Sequence, residues 1–215
     1  MAPARPQDAA RDQRRPDPPA PGAAPGAAPG AAAPGGGDGT RWLLLIYKVP
    51  SEPTRLRAGV WRKLKALGAI YLQNSVAALP AISPGGERAL RTLRKEITDM
   101  GGSAQLLSCD VLAGEPDVLA AFKAARNDEY DEIVDKCADF HGQLRKEYAS
   151  SHFTYAELEE NDEDLTKLRN WYAKVRARDV FGASGAAPTL AALDACEQAL
   201  EEYAARVYVE EGESR

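Results

Sequence analysis

The sequence predicts an α+β protein: a ferredoxin-like α/β sandwich followed by an antiparallel helical region and preceded by a disordered tail. Three observations predict this class. Residues 1–40 contain almost nothing that a core could bury, residues 41–112 alternate strand-like and helix-like segments, and residues 113–210 repeat apolar side chains at helical spacing. These ranges are the three predicted parts of the chain, the last two belonging to one domain.

The tail is defined by its composition. Residues 1–40 hold nine of the fifteen prolines and seven of the eighteen glycines, without an aromatic residue or any Val, Ile or Leu. A segment that buries no apolar surface cannot offset the entropy lost on ordering, so we expect it to be disordered. It also lacks the apolar stretch of a secretory signal.

The first strand and the first helix follow the tail. Residues 42–49, WLLLIYKV, are apolar on both alternating faces, as in a strand that is covered on both sides, and Pro50 ends them. Apolar residues at helical spacing then predict a helix from Pro53 to Gly68, where glycine marks the C-terminus. The opposite face of this helix is basic, with Arg55, Arg57, Arg62, Lys63 and Lys65.

The rest of the α/β part is one more strand, a second basic helix and a last strand. Residues 69–79 predict a strand with a bend at 73–75, and a four-stranded ferredoxin-like sheet requires that this segment be two strands. The second helix follows the turn at 84–86 and ends at Gly101-Gly102. Residues 104–112 predict the final strand.

The carboxyl part is helical by periodicity. Apolar residues recur every three or four positions from Ile133 to Tyr148, from Leu165 to Val175 and from Leu190 to Val207. Each pattern is typical of an amphipathic helix with one buried face. Short connections between the patterns predict antiparallel packing.

The charge is distributed unevenly. The net charge of −5 combines residues 41–110, with eleven basic and five acidic side chains, and residues 111–215, with twelve basic and 23 acidic ones. The asymmetry predicts either a nucleic-acid surface or two halves that attract each other. The apolar runs are far too short to cross a membrane, so we expect no membrane partner. Three scattered cysteines without a C-x-x-C pair favour a cytoplasmic protein without a disulfide scaffold.

Signatures of catalysis are missing from the sequence. It has two histidines and no G-x-S-x-G, P-loop or G-x-G-x-x-G motif, so we expect neither an enzyme nor a bound cofactor. Cys137 and His141 lie four residues apart, which would suit half of a metal site, but a core cysteine beside a boundary histidine is the favoured interpretation. The acidic run at 128–139 is interpreted as a solvated helix face rather than a cation site.

The basic face of the first helix is the predicted DNA-binding surface. Its five cations, Arg55 to Lys65, would suit the phosphate backbone of promoter DNA. The alternative is that they pair with the acidic carboxyl half, and charge alone does not separate the two. The chain shows no helix-turn-helix or zinc-finger spacing, so no base-reading element is predicted.

A second candidate site is cationic and helical. Arg169 and Arg176 lie seven residues apart, two turns of helix, and therefore share one face, with Arg178 beside it. Guanidinium groups next to aromatic residues can hold a small tetrahedral oxyanion through charge-assisted hydrogen bonds. The alternative is ordinary pairing with the acidic run at 157–164.

Several stretches resemble the ChrB family of chromate-resistance regulatory proteins. These are WLLLIYKVPSEPTRLRAGVWRKLKALGAIYLQNSVAALP at 42–80, ARNDEYDEIVDKC at 125–137, FTYAELEENDEDLTKL at 153–168 and KVRARDVFGA at 174–183. The resemblance covers 42–208. Residues 42–80 are also similar to the ferredoxin-like domains of PaaX-type repressors and CRISPR adaptation nucleases, which supports a split second strand. Those nucleases end the first strand with an Asp, where this chain has Lys48-Val49-Pro50.

The resemblance implies a cytoplasmic, chromate-responsive transcriptional regulator, or its accessory subunit, that acts with a chromate efflux transporter. It implies chromate or a similar oxyanion as the ligand of Arg169, Arg176 and Arg178. Proteins of this family usually continue into a carboxyl-terminal domain, whereas this sequence stops at Arg215. We therefore expect a stand-alone amino-terminal unit. The alternative is a ligand-free interaction module that docks on a separately encoded ChrB-type carboxyl-terminal domain.

Overall fold

The computed structural model describes residues 39–213. All but the last two residues of the predicted tail therefore lie outside the described residues. The α/β part comprises β1 (Trp42–Lys48), α1 (Arg55–Leu67), β2 (Ile70–Gln73), β3 (Val76–Pro80), α2 (Gly86–Asp99) and β4 (Ser103–Cys109). The α+β class is confirmed.

The four strands form one antiparallel sheet in the order β2-β3-β1-β4. The segment predicted to be a bent strand is indeed two strands, because the chain turns at Asn74-Ser75, where Ser75 adopts a positive φ of 65°. The elements follow one another as β-α-β-β-α-β, so one helix separates β1 from β2 and another separates β3 from β4. Strand β1 lies in the interior of the sheet, which explains why its sequence is apolar on both faces.

Helices α1 and α2 cover one face of the sheet. Val60 and Leu64 of α1 and Ile97 of α2 pack on Leu43 and Leu45 of β1, and all five side chains are buried. The helices thus turn their basic residues toward solvent. Helix α1 ends at Gly68, whose φ of 77° lies in the left-handed region that favours glycine.

Three long helices follow: α3 (Glu115–Ser150), α4 (Tyr155–Arg178) and α5 (Ala186–Glu213). They pack on one another around a core that includes Ile133, Leu165 and Leu193. The Thr154 side chain caps α4 by accepting a hydrogen bond from the Glu157 backbone N–H at 3.3 Å. The three predicted helical patterns are confirmed as helices.

Helix α3 begins much earlier than the apolar pattern predicts. Its 36 residues make it about 54 Å long, so it reaches from the helical bundle onto the second face of the sheet. There Phe122 contacts Trp42 of β1 at 6.0 Å between ring centroids. The pattern missed the first half of the helix because Arg126 and Glu129 occupy buried positions where a hydrophobic residue is expected.

The last strand is shorter than the sequence pattern predicts. Strand β4 ends at Cys109 rather than at Leu112, whose side chain is fully exposed. Within residues 39–213, no helix combines the length and the apolar character needed to cross a bilayer.

Candidate functional site

The basic face of α1 is exposed as predicted. Lys63 pairs with Glu96 of α2 at 2.5 Å, and the Lys65 ammonium lies 5.6 Å from the centroid of the Trp61 ring. Arg55, Arg57 and Arg62 have no ion-pair partner within residues 39–213. The helix therefore presents three cations that the described part of the protein does not neutralise.

Within residues 39–213, no ion pair joins α1 to the acidic half. Across the described ranges, the ion pairs of α1 and α2 stay inside the α/β part, as between Lys63 and Glu96 or between Arg91 and Glu87. The opposite net charges of the two halves are thus not neutralised by ion pairs between them. They remain on the surface.

Two arginines attach the C-terminus of α1 to the helical region. Nη1 of Arg126, on α3, donates to the carbonyl oxygen of Gly68 at 2.9 Å. Nη1 of Arg178, at the end of α4, donates to the carbonyl oxygen of Ala66 at 3.3 Å. The last carbonyls of a helix lack intrahelical partners and carry partial negative charge, so cations stabilise this end.

Glu129 lies between these two arginines. Its Oε1 is 2.7 Å from Nη2 of Arg126, and its Oε2 pairs with Nη2 of Arg178. Burial lowers the pKa of Arg126, which is only 2% exposed, while Glu129 acts in the opposite direction. Since one carboxylate serves two guanidinium groups, this bridge retains an excess of positive charge.

A groove opens beside this bridge. It has a volume of about 280 Å³ and lies between α1, α3 and α4. It is lined by Trp61, Arg62, Lys65, Ala66, Glu129, Glu132, Trp171 and Arg178. The fold therefore brings Arg178 of the predicted anion site together with Arg62 and Lys65 of the predicted DNA surface.

The other two predicted anion ligands have different surroundings. Nη2 of Arg169 lies 3.0 Å from Oδ1 of Asp194 and also binds Glu197, both on α5. Nη1 of Arg176 donates to the carbonyl oxygen of Asp179 at 3.3 Å and lies 4.0 Å from its carboxylate. Arg169, Arg176 and Arg178 thus contact three different parts of the chain.

The acidic run at 157–164 is not the partner of these arginines. Its Glu163 and Asp164 pair with Lys167, at 3.5 and 2.9 Å. The partners named in the alternative interpretation are therefore wrong. Arg169 and Arg178 pair with carboxylates far away in the sequence, which spacing along one helix does not reveal, whereas Arg176 lies near the carboxylate of Asp179, three residues later.

Asp179 organises the end of α4. This buried carboxylate accepts the backbone N–H of Ala183 at 2.9 Å and the hydroxyl of Tyr130 at 3.3 Å. Burial, reinforced by the neighbouring Asp179 charge, raises the pKa of Tyr130. The contacts hold the turn after α4 and so position Arg176 and Arg178.

Sequence reasoning missed three residues of this region: Arg126, Glu129 and Asp179. All three are charged and at least nine-tenths buried. The sequence does show charged residues at positions where the apolar helical pattern predicts a buried side chain, and this was the signal that could have identified them. The interpretation of the acidic run at 128–139 as a solvated helix face is wrong for Glu129, which is buried.

The predicted core interpretation of Cys137 agrees with its surroundings. Cys137 and Cys196 are both buried, and Sγ of Cys196 lies 3.6 Å from Nε2 of His141. Burial raises the pKa of Cys196 to about 12 and also raises that of Cys137. Both side chains belong to the core of the helical part.

Comparisons with known proteins bear on the whole domain. Residues 57–214 match the family model described as "Protein ChrB, N-terminal". The chain is 35% identical over 95 residues to "Protein ChrB" of Cupriavidus metallidurans, an alignment that covers 43% of this chain and 28% of that protein. The matched segment is thus less than a third of the relative's length. No solved structure matches the chain significantly.

The family model spans most of the chain and includes every residue of the groove, from Trp61 on α1 to Arg178 on α4. The curated relative carries the same family name. The chain belongs to the ChrB amino-terminal domain family.

Proposed function

We propose that this protein is a chromate-responsive transcriptional regulator, or the accessory subunit of one, that contributes to chromate resistance in the cytoplasm. The observation that carries the proposal is the contact of Arg178 with both α1 and the bridge at Glu129. A residue from the predicted oxyanion set thereby touches the helix that carries the predicted DNA-binding cations.

The DNA-binding half of the proposal rests on the exposed cations of α1. Arg55, Arg57 and Arg62 are exposed and have no ion-pair partner in the part of the chain that the structure describes. Neutralising phosphates with such side chains releases condensed counterions, which supplies most of the affinity of a non-specific contact. Promoter DNA is accordingly the proposed partner of this face.

The oxyanion half of the proposal rests on the arginines of α4. Chromate is a tetrahedral dianion at neutral pH, and a guanidinium group offers it paired N–H donors. Arg176 is half exposed and lies 4.0 Å from its nearest carboxylate, so it can exchange partners more readily than the tightly paired Arg169. Arg176 is therefore the principal proposed ligand, with Arg169 and Arg178 assisting.

The two halves are linked through α1. An oxyanion that draws Arg178 away from the Ala66 carbonyl and Glu129 removes one of the two attachments at the α1 C-terminus. The remaining attachment is Arg126 to Gly68. Binding of the anion thus changes how firmly the basic helix is held, which couples the ligand to the DNA surface.

The experiment is a fluorescence-anisotropy titration of the DNA upstream of the gene with the full chain, with and without chromate. We expect saturable binding that weakens steeply with salt and is released by chromate. Sulfate at the same concentration controls for ionic strength and for a tetrahedral dianion without oxidising power. Absence of DNA binding in all conditions contradicts the regulatory proposal.

Arg176→Ala tests the anion ligand separately. We expect this variant to bind DNA as the parent does, to retain its helical circular dichroism and to lose the response to chromate. Lys167→Ala is the matched control, because Lys167 is an exposed cation of the same helix outside the arginine set. An unchanged chromate response in Arg176→Ala contradicts the assignment.

A second candidate is an interaction module that docks on a separately encoded ChrB-type carboxyl-terminal domain without a ligand. It is favoured by the sheet face opposite α1 and α2, where Ile46 and Leu107 are 38% and 46% exposed. Apolar docking would depend weakly on salt, unlike DNA binding. We propose no catalytic activity and no cofactor in either case.

A further inference from the structure

Three potential metal ligands lie close together at the connection between α3 and α4. Glu147 belongs to the last turn of α3, His152 lies in the connection, and Glu157 belongs to the first turn of α4. Nδ1 of His152 is 3.5 Å from Oε2 of Glu147 and 3.8 Å from Oε1 of Glu157. One ligand atom from each residue lies within 4.8 Å of the other two.

The two separations from His152 suit a tetrahedral ion, and the ligand oxygens of Glu147 and Glu157 lie within 4.8 Å of each other. Zinc binds imidazole nitrogen and carboxylate oxygen at roughly 2.0–2.2 Å, so two of its ligand atoms are about 3.3–3.6 Å apart. The two distances from His152 to the carboxylates therefore need to change by a few tenths of an ångström at most. The donor set of one imidazole and two carboxylates is one that zinc accepts.

Glu147 shows that the site is more than a surface cluster. Its side chain is 7% exposed, and its charge faces no Lys or Arg ion-pair partner within residues 39–213. Gln143, one turn earlier, donates its amide N–H to Oε1, which leaves Oε2 directed at His152. A buried carboxylate normally requires a cation, and an orienting hydrogen bond of this kind is typical around metal ligands.

The backbone of the connection is also held in place. The Tyr203 hydroxyl donates to the carbonyl oxygen of His152 at 2.6 Å, and the His152 N–H donates to the carbonyl oxygen of Glu147 at 2.9 Å. The Thr154 cap fixes the first turn of α4, and with it Glu157. The three ligands are therefore presented by three ordered segments rather than by a loose loop.

We propose that Glu147, His152 and Glu157 form a binding site for a divalent transition-metal ion of the zinc type. His152 is 60% exposed, so the fourth position faces solvent and is filled by water. The ion would join the end of α3 to the start of α4. Glu147 lies 18 residues from Glu129 along α3, about 27 Å, so the site is separate from the groove at α1.

The sequence offers an internal control for locating the ion. The chain has two histidines, His141 and His152, whose ring resonances can be followed together by NMR. We titrate the untagged full chain, stripped with a chelator, with zinc chloride by calorimetry and NMR. We expect one ion per chain, displacement of the His152 ring signals and unmoved His141 signals.

Two variants test the ligands. His152→Ala changes an exposed side chain, so it should fold normally and should bind zinc at least about tenfold more weakly. Glu159→Gln is the matched control, because it removes an exposed carboxylate of α4 outside the cluster and should leave the affinity unchanged. Gln143→Ala should lower the affinity without abolishing binding, as expected of a positioning residue.

Thermal melting supplies an independent readout. Zinc should raise the melting temperature of the parent and of Glu159→Gln, because a ligand that binds only the folded state stabilises it. At the same zinc concentration it should raise that of His152→Ala less. The proposal is overturned if the parent shows no saturable zinc binding at millimolar concentration, or if His152→Ala binds zinc as tightly as the parent.

Discussion

Arg126 donates from Nη1 to the carbonyl oxygen of Gly68 at 2.9 Å, across 58 residues of sequence. The contact is possible because Gly68 has no side chain: a Cβ there would lie 2.3 Å from the same nitrogen. A glycine that ends α1 and an arginine buried in α3 therefore depend on each other. Together they determine how the basic helix is attached to the rest of the domain.

Gly68→Ala should be strongly destabilising. The substitution places a side chain in a left-handed backbone conformation, which costs about 1–2 kcal/mol, and it also displaces the Arg126 guanidinium. We expect the free energy of unfolding, measured by urea denaturation, to fall by more than the backbone cost alone. The proposed DNA affinity should fall as well.

Gly101→Ala is the control for the cost of placing a side chain in a left-handed backbone conformation. Gly101 also has a positive φ, 84°, but a Cβ at this position meets nothing within 4 Å. The difference between the two variants isolates the cost of the side-chain contacts at Gly68, where a Cβ displaces the Arg126 guanidinium and also lies 3.0 Å from Cδ of Arg178. Equal destabilisation in both would show that these contacts contribute nothing.

Glu129→Gln should destabilise the protein by about 3 kcal/mol. Removing the charge leaves the guanidinium groups of Arg126 and Arg178 close together without their shared carboxylate, and breaking a buried ion pair typically costs this much. Glu132→Gln, three residues later on the exposed surface, should have little effect. A loss below about 1 kcal/mol, typical of exposed pairs, would contradict a buried bridge.

Arg62→Ala should weaken DNA binding nearly uniformly across DNA sequences. If Arg62 contacts one phosphate, its loss should reduce the slope of log affinity against log salt concentration by about 1. Lys136→Ala is a suitable control, because Lys136 lies on α3 and pairs with Asp139 at 2.8 Å. An unchanged salt slope in Arg62→Ala would remove this residue from the proposed DNA surface.

The three thiols should differ in reactivity toward an aromatic disulfide reagent. Cys109 is partly exposed and should react in the native protein, faster as pH rises because the thiolate is the nucleophile. Burial and Asp110 raise the pKa of this thiol, so the increase should extend to higher pH than for a free cysteine. Cys137 and Cys196 are buried and should react only after denaturation. Cys109→Ser should abolish the fast phase. A native chain with three fast thiols would contradict the core position of Cys137 and Cys196.

The pKa of Cys196 also has a consequence for stability. Its thiol ionises at about 12 in the folded chain but near 9 in a model peptide, so the unfolded state loses its proton first. Between these values the unfolded state binds fewer protons, and the free energy of unfolding should therefore decrease as pH rises from about 9 to about 12. Urea denaturation across this pH range measures the slope of the free energy of unfolding against pH, and this slope should be shallower in Cys196→Ala.

The elements of the α/β part could be predicted from local patterns. The apolar run of β1, the glycine at the end of α1 and the polar bend at 73–75 each reflect a local backbone or burial preference. The first half of α3 could not be predicted in this way. Its buried face contains Arg126 and Glu129, and these buried charges also have partners far away in the sequence, the Gly68 carbonyl oxygen for Arg126 and Arg178 for Glu129.

The sequence by itself therefore determined the fold class, the helical periods, the two basic helices and the resemblance to the ChrB family. Only the tertiary structure decided which charges are partnered. Arg169 and Arg176 share a helix face, yet each contacts a different part of the chain, and Arg178 meets α1 instead. Helical spacing reports which side chains lie on one face, whereas an ion pair depends on what another element places opposite them.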